Sequence, residues 1–426
     1  MYNLYLMNYR NYDVVIIGSG IAGLYSAYNL KKMNPSLSFI ILEKHKKQWI
    51  GGRTSNETFY GTEIVTGAGV GRKKKDKLLI QLMEDIHVKF SEFEFNPIIA
   101  NTVHNPVDIK KIFSNFKKKT VHANETFEQF LKKELGDEDY KNFLITNGYT
   151  DYEHDDAFDV IENYGLEDNY CCWTGLTIHW KKLIMALTHS VGINNIRSSC
   201  SATNIFSFEK GKYKKNGQDY SCDVYDYCVE TDNNITYYCN KIIVATTITS
   251  LRTLFPRHKI YDQIEGQPFL RLYAKFSKSS TPILKEFIKG YTIVPGPLQK
   301  IIPIDANKGV YMIAYSDNKN AEILKKHLSD TEENREMFAS LVEKSLGIPI
   351  NTVKITALKD FYWPIGTHYY KPLDIKMYGD REEFIYMAQH PDTNVIVVGE
   401  VVANNQGWTE GALDSVKKAL TKTWLK

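Results

Sequence analysis

The chain has 426 residues, of which 43% are hydrophobic and 13% aromatic, enough to build a large core and two or three domains. Its 53 Lys and Arg residues nearly balance its 50 Asp and Glu residues, so charge gives no reason to expect a nucleic acid or a membrane surface as partner. No apolar stretch approaches the roughly 18 residues of a membrane span, and residues 1–11 lack the apolar core of a signal peptide.

The cysteines bear on the redox environment. They form no CxxC motif and no metal-ligand spacing with histidine, so we predict no metal site and interpret all six as free thiols. This interpretation predicts a cytoplasmic or other reducing intracellular compartment. The cysteines are Cys171, Cys172, Cys200, Cys222, Cys228 and Cys239.

The first predicted elements form a βαβ unit. Residues 13–17 are continuously apolar after Asp13, which is typical of a strand buried on both faces of a parallel sheet. Residues 21–28 carry apolar side chains at helical spacing, and a second strand over residues 38–42 ends at Glu43. The loop between the first strand and the helix has the sequence Gly18-Ser19-Gly20-Ile21-Ala22-Gly23.

This loop has the chemistry of a dinucleotide site. Gly18 permits the tight turn, Gly20 lets the backbone approach a pyrophosphate, and Gly23 lets helix and strand pack closely. The helix N-terminus offers unpaired N–H groups to the phosphates. Glu43 can accept both ribose hydroxyls while repelling a 2′-phosphate. The alternative is a glycine-rich turn without a ligand.

A second glycine loop favours a flavin over a nicotinamide cofactor. Gly51 and Gly52 let the chain run along the ligand, and Arg53 supplies a fixed cation for its phosphates or its flavin end. The small residues at 67–69 suit a backbone that passes a flat ring, although a plain turn also explains them. A nicotinamide dehydrogenase has no need of this second loop.

The middle of the chain predicts a helix-rich segment followed by short strands. Residues 76–195 are mostly helical by pattern. Strands are predicted over residues 201–205, 222–230 and 241–246, and residues 211–218 predict a hairpin loop.

The C-terminal segment supplies a second part of the nucleotide site. A buried strand over residues 394–398 precedes Gly399 and Glu400, and a final amphipathic helix begins near Thr409. Its N-terminus would direct the positive end of the helix dipole at the pyrimidine edge of a flavin, which stabilises the anionic reduced form.

As a set, these motifs resemble the flavin-containing amine oxidoreductases, the group of monoamine oxidases, polyamine oxidases and L-amino-acid oxidases. The resemblance implies an α/β fold, in which a Rossmann-like FAD-binding domain of the glutathione-reductase type is joined to an α+β substrate domain, both discontinuous in sequence. The FAD-binding domain would take residues 11–75, 196–256 and 388–426. The substrate-binding domain would take residues 76–195 and 257–387.

The resemblance also implies which residues bind FAD. His368 stands where the monoamine oxidases carry the cysteine that links to flavin, and no cysteine follows Cys239, so FAD is expected to be noncovalent. The implied cofactor-binding residues are Gly18, Ser19, Gly20, Ile21, Ala22, Gly23, Glu43, Lys44, Gly51, Gly52, Arg53, Thr54, Gly67, Ala68, Gly69, Val70, Ala202, Gly399, Glu400, Trp408, Thr409 and Ala412.

Four residues are implied in catalysis. Trp408 matches one of two rings that flank the amine in the family, Tyr369 matches the other by spacing, and Tyr370 stands close behind; core packing is the alternative for all three. Arg271 occupies the place of a lysine that holds a water against flavin N5 in many family oxidases. Because arginine stays protonated and cannot accept a proton, the choice between oxidase and dehydrogenase stays open.

These motifs do not identify the substrate. Arg72 and Arg271 are candidates to bind a substrate carboxylate, and His368 is a further candidate contact to flavin or substrate. A polyamine would need acidic residues in the substrate domain, for which the candidates are Glu92, Glu94, Asp155 and Asp156.

The predicted function is FAD-dependent oxidation of a primary or secondary amine, or of an amino acid, to an imine. A hydride passes to flavin N5, and oxygen restores the flavin and yields hydrogen peroxide. One alternative is a desaturase or protoporphyrinogen oxidase-like enzyme acting on carbon–carbon bonds. Another is a flavin-binding protein without turnover. The pattern does not select an oligomeric state.

Overall fold

The computed structural model describes residues 9–119, 121, 124–166, 172–208, 212–215, 218–221 and 224–426. The strands are β1 (Tyr9–Asn11), β2 (Val14–Ile17), β3 (Phe39–Leu42), β4 (Asn56–Phe59), β5 (Thr62–Val65), β6 (Gly71–Arg72), β7 (Phe90–Phe95), β8 (Ile98–Ile99), β9 (Trp173–Ile178), β10 (Ile196–Arg197), β11 (Ala202–Ser207), β12 (Lys212–Lys215), β13 (Gln218–Ser221), β14 (Tyr227–Thr231), β15 (Thr236–Cys239), β16 (Lys241–Val244), β17 (Ile264–Phe276), β18 (Thr292–Ile293), β19 (Lys300–Asp305), β20 (Val310–Asp317), β21 (Ile355–Tyr370) and β22 (Val395–Val397). The α-helices are α1 (Ile21–Met33), α2 (Lys77–Asp85), α3 (Ile109–Phe116), α4 (Phe127–Asn147), α5 (Ala157–Asp159), α6 (Trp180–Val191), α7 (Ile248–Leu254), α8 (Thr281–Phe287), α9 (Asn318–Lys325), α10 (Glu332–Leu346), α11 (Ile375–Tyr378), α12 (Arg381–Gln389), α13 (Thr409–Ala419) and α14 (Lys422–Leu425).

A five-stranded parallel sheet in the order β10-β3-β2-β16-β22 forms the main core. Strands β2, β3 and β22 are buried along their whole length, as expected for a sheet covered on both faces. Three stretches of chain that are far apart in sequence meet in this sheet, because β2 pairs with β16 and β16 pairs with β22.

Helices cover one face of the parallel sheet, and a second sheet covers the other. Leu24 of α1, Leu183 of α6 and Leu413 of α13 are fully buried in one hydrophobic cluster. On the opposite face, Val229 of β14 and Leu251 of α7 belong to a second cluster. The carboxyl ends of the parallel strands meet at one edge, the usual place for a ligand in an open α/β sheet.

A six-stranded sheet in the order β21-β17-β20-β19-β18-β8 forms the second core. Its long strands β17 and β21 are antiparallel, and they pair from Ile264 with Tyr370 at one end to Phe276 with Ile355 at the other. Helices α9 and α10 cover one face of this sheet through Leu324 and Phe338. The side chain of Arg271 on β17 lies on the face of this sheet opposite α9 and α10.

The segment predicted to be mostly helical contains strands as well. Helices α2 to α6 are present, but β7, β8 and β9 interrupt them, and β7 pairs with β9 in an antiparallel ladder. Phe93 of β7 lies over Gly175 of β9, where an added Cβ would come within 2.3 Å of the ring. Along the described residues, no helix has both the length and the apolar character that crossing a bilayer requires.

Two expectations about smaller features have different outcomes. The predicted hairpin is present as the antiparallel pair β12 and β13, although residues 211, 216 and 217 lie outside the described residues. The free-thiol interpretation is wrong for Cys172, which is disulfide-bonded, so the cysteines no longer argue for a reducing compartment. Cys200, Cys228 and Cys239 are buried and are not disulfide-bonded. Two further cysteines lie outside the described residues: Cys171 and Cys222.

Candidate functional site

The glycine loop after β2 has a conformation that larger residues would disrupt. Gly18 has a φ of +104°, and a Cβ there would lie 2.3 Å from the carbonyl oxygen of Ala245. A Cβ at Gly23 would lie 2.0 Å from the carbonyl oxygen of Gly18. At Gly20, by contrast, a Cβ would meet no atom within 4 Å. The loop is therefore closed against the sheet and open at its tip.

Helix α1 begins at this open tip without a cap. Gly20 is its N-cap residue, and no side chain of the described residues caps the helix there. The first N–H groups of the helix therefore remain free for an anion, and the helix dipole favours a negative charge at the same place. Ser19, Ile21 and Ala22 lie at this tip and are all buried.

Glu43 stands at the end of β3, directly beside the loop. Its carboxylate accepts hydrogen bonds from the Ser19 N–H at 2.9 Å, the Ser19 hydroxyl at 2.6 Å and the His45 N–H at 2.8 Å. Two carboxylate oxygens have about four acceptor positions, so Glu43 can accept one more donor. The backbone of Glu43 also bonds to Cys200 at 2.9 Å, two residues before Ala202. Lys44 is exposed.

The second glycine loop packs directly on the first. The Gly51 N–H donates to the Ser19 carbonyl at 2.9 Å, and both Gly51 and Gly52 have positive φ, +98° and +59°. The buried hydroxyl of Thr54 donates to the Gly51 carbonyl at 2.5 Å. These contacts place Arg53 between the glycine loop and the C-terminal segment.

Glu400 joins the two ends of the chain. Its carboxylate accepts from Arg53 at 3.3 Å, from His368 Nδ1 at 2.5 Å, and from the backbone N–H groups of His368 at 2.7 Å and Gly407 at 2.8 Å. Burial alone would raise the pKa of Glu400, but its interactions with His368 and Arg53, together with these hydrogen bonds, lower it to about 2. Glu400 is therefore ionised at any physiological pH. It follows Gly399, whose φ of +120° permits the turn after β22.

Both ring nitrogens of His368 have partners. Nδ1 bonds to Glu400, and Nε2 accepts from the backbone N–H of Ile248 at 3.1 Å. The side chain has no exposed surface. This pairing holds the ring in one orientation and leaves neither nitrogen free for a substrate or for a covalent bond to flavin.

The loop over residues 67–69 is held by three long side chains. The Gly67 carbonyl accepts from Arg271 Nε at 2.5 Å, and the Gly69 carbonyl accepts from the indole of Trp180 at 2.8 Å. The third is Trp363, which donates to the carbonyl of Thr66 at 2.8 Å. Ala68 lies within the loop, and the exposed Val70 follows it.

Arg271 is a buried cation without a carboxylate partner. It is 4% exposed, its guanidinium lies 4.0 Å from the ring centre of Tyr315, and its Nη1 contacts Met312 Sδ at 3.7 Å. Across the described part of the chain, no carboxylate oxygen lies within salt-bridge distance of it. An uncompensated buried charge is costly, so the site favours an anionic or electron-rich ligand beside Gly67 and Gly69.

Trp408 is tied to Asp76 from the opposite end of the chain. Its indole N–H donates to the fully buried Asp76 carboxylate at 2.8 Å, and its ring meets Trp180 edge to face at 5.9 Å. The guanidinium of Arg72 forms a salt bridge with Asp76 at 2.8 Å and lies 5.7 Å from the Trp408 ring centre. Arg72 therefore already has an anionic partner, which weakens its candidacy for a substrate carboxylate.

Trp408 is the N-cap residue of helix α13, whose N-terminus also lacks a side-chain cap among the described residues. Its Glu410 instead bonds to another helix, accepting from the N–H groups of Leu78 at 2.7 Å and Leu79 at 2.9 Å at the start of α2. The N-terminus of α13, with Thr409 and Ala412 buried at its first turn, therefore keeps its own donors free.

The two candidate tyrosines lie on opposite faces of β21. Tyr370 is 2% exposed, donates to the Ala403 carbonyl at 3.0 Å and packs edge to face against Phe384, so the structure places it in the core rather than beside Trp408. Tyr369 is half-buried and has His154 as its ring neighbour. Within the described residues, no ring contact joins either tyrosine to Trp408.

A buried lysine beside Arg271 was not predicted from the sequence. Lys300 is fully buried, donates to the Gly148 carbonyl at 2.5 Å, and lies 3.1 Å from the ring centre of Tyr149 and 4.2 Å from that of Tyr315. Burial lowers the pKa of Lys300 to about 7, against the opposing charges of nearby acids. A lysine at the start of a strand is ordinarily exposed, so no local signal marks this residue.

Comparisons with known proteins agree with this architecture. Residues 16–82 match the NAD(P)-binding Rossmann-like domain. Wild-type putrescine oxidase bound to putrescine superposes with a TM-score of 0.72 at 14% identity, covering 96% of this chain and 98% of that one. Cyclohexylamine oxidase from Brevibacterium oxydans has the same TM-score, identity and coverage. This chain has the amine-oxidase fold. The α/β fold class with a Rossmann-like domain, expected from the motifs, is thereby confirmed.

Two further relatives extend the comparison. A putative protoporphyrinogen oxidase from Exiguobacterium has a TM-score of 0.66 at 15% identity and covers 97% of this chain and 99% of its own. An uncharacterised protein of Acanthamoeba polyphaga mimivirus is 20% identical over 498 residues, covering 96% of this chain and 93% of that protein. At these identities the amine-oxidase fold is shared, whereas residue roles have to be argued from this chain's own geometry.

Proposed function

We propose that this protein is an FAD-dependent oxidoreductase that oxidises a primary or secondary amine, or an amino acid, to an imine. The observation that carries the proposal is the convergence of both chain ends on one edge of the parallel sheet. There the glycine loop and Glu43 lie beside the pair formed by Arg53 and Glu400, and Trp408 follows Gly407, whose N–H donates to Glu400.

The residues present fit a dinucleotide that carries a flavin. Two uncapped helix N-termini, those of α1 and α13, are oriented by packing rather than by side-chain caps, and each can stabilise negative charge. Gly20 leaves open space where a phosphate must approach, and Glu43 has acceptor capacity for a ribose hydroxyl. Arg53 supplies a cation whose position Glu400 fixes.

The protein's own contribution is orientation and charge. When bound, FAD would supply the redox chemistry, accepting a hydride equivalent at N5 and returning it to oxygen as hydrogen peroxide. Arg271 holds the Gly67 carbonyl and places a permanent positive charge beside the loop that suits a flat ring. Trp408, fixed by Asp76, would offer a ring face to the substrate. Because Arg271 cannot accept a proton, it would orient water or stabilise negative charge.

FAD is proposed to be noncovalent. No cysteine follows Cys239, so a thioether link is impossible at the position that His368 occupies. A histidyl link would require His368 to give up its bond to Glu400 or to Ile248, and both of these bonds are buried.

Oxidation of a carbon–carbon bond is the second candidate function. It is favoured by the placement of Tyr370 in the core, which removes one ring from the expected amine cage, and by the shared fold with a putative protoporphyrinogen oxidase. An amine oxidase and a desaturase would use the same FAD site, so the difference lies in the substrate that reduces the flavin.

Anaerobic mixing of the FAD-loaded protein with a panel of amines, amino acids and cyclic alkanes separates these functions. We expect an amine to bleach the oxidised-flavin absorption band, and hydrogen peroxide to appear when oxygen is admitted. Bleaching by a cyclic alkane, and by no amine or amino acid, would assign the second function. A fully loaded protein whose spectrum no compound changes would contradict both and leave a flavin-binding protein without turnover.

A further inference from the structure

Two cationic side chains lie against the same tyrosine ring beneath the six-stranded sheet. The Cζ atom of Arg271 is 4.0 Å and the Nζ atom of Lys300 is 4.2 Å from the ring centre of Tyr315. Arg271 also holds the Gly67 carbonyl, so only one ring separates Lys300 from the side chain that borders the proposed flavin loop. Lys300 is fully buried, whereas Tyr315 and Tyr149 keep part of their surface accessible. These two rings therefore stand between Lys300 and the accessible space.

The turn before Lys300 is strained in a way that keeps its amine inside the protein. Gln299 is buried and has a φ of +53°, a left-handed conformation that costs free energy in a residue other than glycine. Its Nε2 donates to the Asp317 carboxylate at 3.1 Å, and the Asp317 N–H donates to its Oε1 at 2.8 Å. With the turn fixed by these bonds, Lys300 Nζ donates to the Gly148 carbonyl at 2.5 Å.

The charges that face Lys300 come from three other parts of the chain. Arg271 on β17 disfavours its positive charge, whereas Asp317 at the end of β20 and Asp151 after α4 favour it. Among the described residues, no carboxylate oxygen comes within 4 Å of its Nζ. Burial outweighs the attraction of the two acids and lowers the pKa of Lys300 to about 7. This interior therefore favours a primary alkylamine in its neutral form.

The substrate proposed above is an amine of the same kind. Its ordinary pKa is close to that of a lysine side chain, about 10.4, so it reaches the protein as an ammonium ion. An ammonium nitrogen has no lone pair, and loss of a hydride from the neighbouring carbon forms a C=N bond only by using that lone pair. The substrate must therefore release one proton, from R–NH3⁺ to R–NH2, before it is oxidised.

We propose that Lys300 is a positioning residue that keeps the bound substrate amine neutral, acting through the Tyr149 and Tyr315 rings together with the fixed charge of Arg271. This inference rests on the proposed function. Like charges close together inside a protein disfavour each other, so Lys300 and the substrate amine share a single proton beside Arg271. The reactive arrangement is the one in which Lys300 holds that proton and the substrate nitrogen keeps its lone pair.

The first test is the pH dependence of flavin reduction. The FAD-loaded protein is mixed anaerobically with saturating 1-aminobutane, and the limiting rate constant is measured from about pH 6 to about pH 10. Lys300→Met and Lys300→Gln, of which the second keeps a donor for the Gly148 carbonyl, should move the rise in rate to higher pH by about one unit or more. The rate should then be about tenfold lower at pH about 7 and nearly unchanged at pH about 10.

Two further variants separate charge from packing. Lys300→Arg keeps a permanent cation and should keep the rise in rate at or below the wild-type pH. Lys325→Met is the matched control, since Lys325 is exposed on α9, and it should keep the wild-type profile. A rate that Lys300→Gln lowers by the same factor at every pH, or does not change, overturns the role of Lys300 while amine oxidation stands.

The second test requires no turnover. The amine tert-butylamine has no hydrogen on the carbon next to nitrogen, so it cannot be oxidised to an imine. It is titrated calorimetrically into the FAD-loaded protein at pH about 6, in two buffers of different ionisation enthalpy, which gives the number of protons released on binding. Lys300 already carries a proton at this pH, so the wild type should release about one proton per amine bound, and Lys300→Gln about none.

The outcomes keep the two proposals distinguishable. Proton release by neither protein, or by both, overturns the role of Lys300 and leaves amine binding in place. If no amine reduces the flavin and tert-butylamine does not bind, amine oxidation itself is overturned, and the role of Lys300 falls with it.

Discussion

The nucleotide edge of the parallel sheet and the region beneath the six-stranded sheet place polar groups by different physical means. At the nucleotide edge, steric limits on the backbone dominate, because a Cβ at Gly18 or Gly23 would overlap a carbonyl. Beneath the six-stranded sheet, buried charge dominates, with Lys300, Arg271 and Asp151 all inside the protein. We therefore expect the first region to be more sensitive to a change of shape and the second to a change of charge. Substitutions that separate shape from charge test this difference.

The largest expected effect is at the glycine loop. Gly23→Ala places a methyl group 2.0 Å from the Gly18 carbonyl, and we expect a loss of stability of about 3 kcal/mol or more together with loss of FAD. Gly20→Ala meets no atom within 4 Å and should fold normally, yet it should weaken FAD binding about tenfold, because the methyl group occupies space needed by the phosphates. Chemical denaturation measures the stability of each variant, and flavin titration measures its affinity for FAD. Normal FAD affinity in Gly20→Ala would show that the ligand does not approach this loop.

The next largest effect is expected at Glu400, where the two regions meet. Glu400→Gln leaves the half-buried Arg53 without its counter-charge and removes the charged acceptor of the buried His368 ring, and we expect a loss of about 3 kcal/mol. The pKa of Glu400 is lowered from 4.5 to about 2, so its contribution is present above pH about 4.5 and disappears as pH falls toward 2. Melting temperatures of wild type and variant should therefore converge across this pH range. Curves that stay parallel down to pH about 3 would contradict the assigned role.

A smaller effect, on the rate of flavin reoxidation, is expected at Arg271. Arg271→Met removes the fixed cation beside Gly67, and we expect reoxidation of the reduced flavin by oxygen to slow about tenfold, while Arg271→Lys keeps most of the rate. Lys275→Met is the control, because Lys275 lies on the same strand but bonds to the Lys308 carbonyl near the surface. Stopped-flow mixing of reduced protein with oxygen measures the rate. Equal slowing by both methionine variants would point to a general effect on the strand.

The smallest effect is expected at the surface. Lys73 and Glu92 form a salt bridge at 2.6 Å with about half of each side chain exposed, and Lys73→Ala should change stability by less than about 1 kcal/mol. A loss as large as that of Glu400→Gln would mean that exposure is a poor guide to energetic importance in this protein. Urea denaturation of wild type and Lys73→Ala, at low and at moderate salt, measures this change in stability.

The amino-acid sequence by itself determined the elements whose signals are local. The apolar runs of β2, β3 and β22, the helical spacing of α1 and the start of α13 at Thr409 all agree with the structure. Burial on both faces and close backbone packing leave few residue types possible at such positions. The carboxylate at the end of β3 was likewise recognisable, because a parallel strand ends at the ligand edge of the sheet.

Tertiary structure alone decided the partners of the buried polar groups. The bond of Trp408 to Asp76, the enclosure of His368 between Glu400 and Ile248, and the burial of Lys300 depend on residues far away in the chain. The alternation along β21 places Tyr370 in the core, although it directly follows Tyr369, whose spacing matched a catalytic ring. A side chain's ionisation and hydrogen bonds follow from what surrounds it after folding, and no periodicity in the sequence encodes those surroundings.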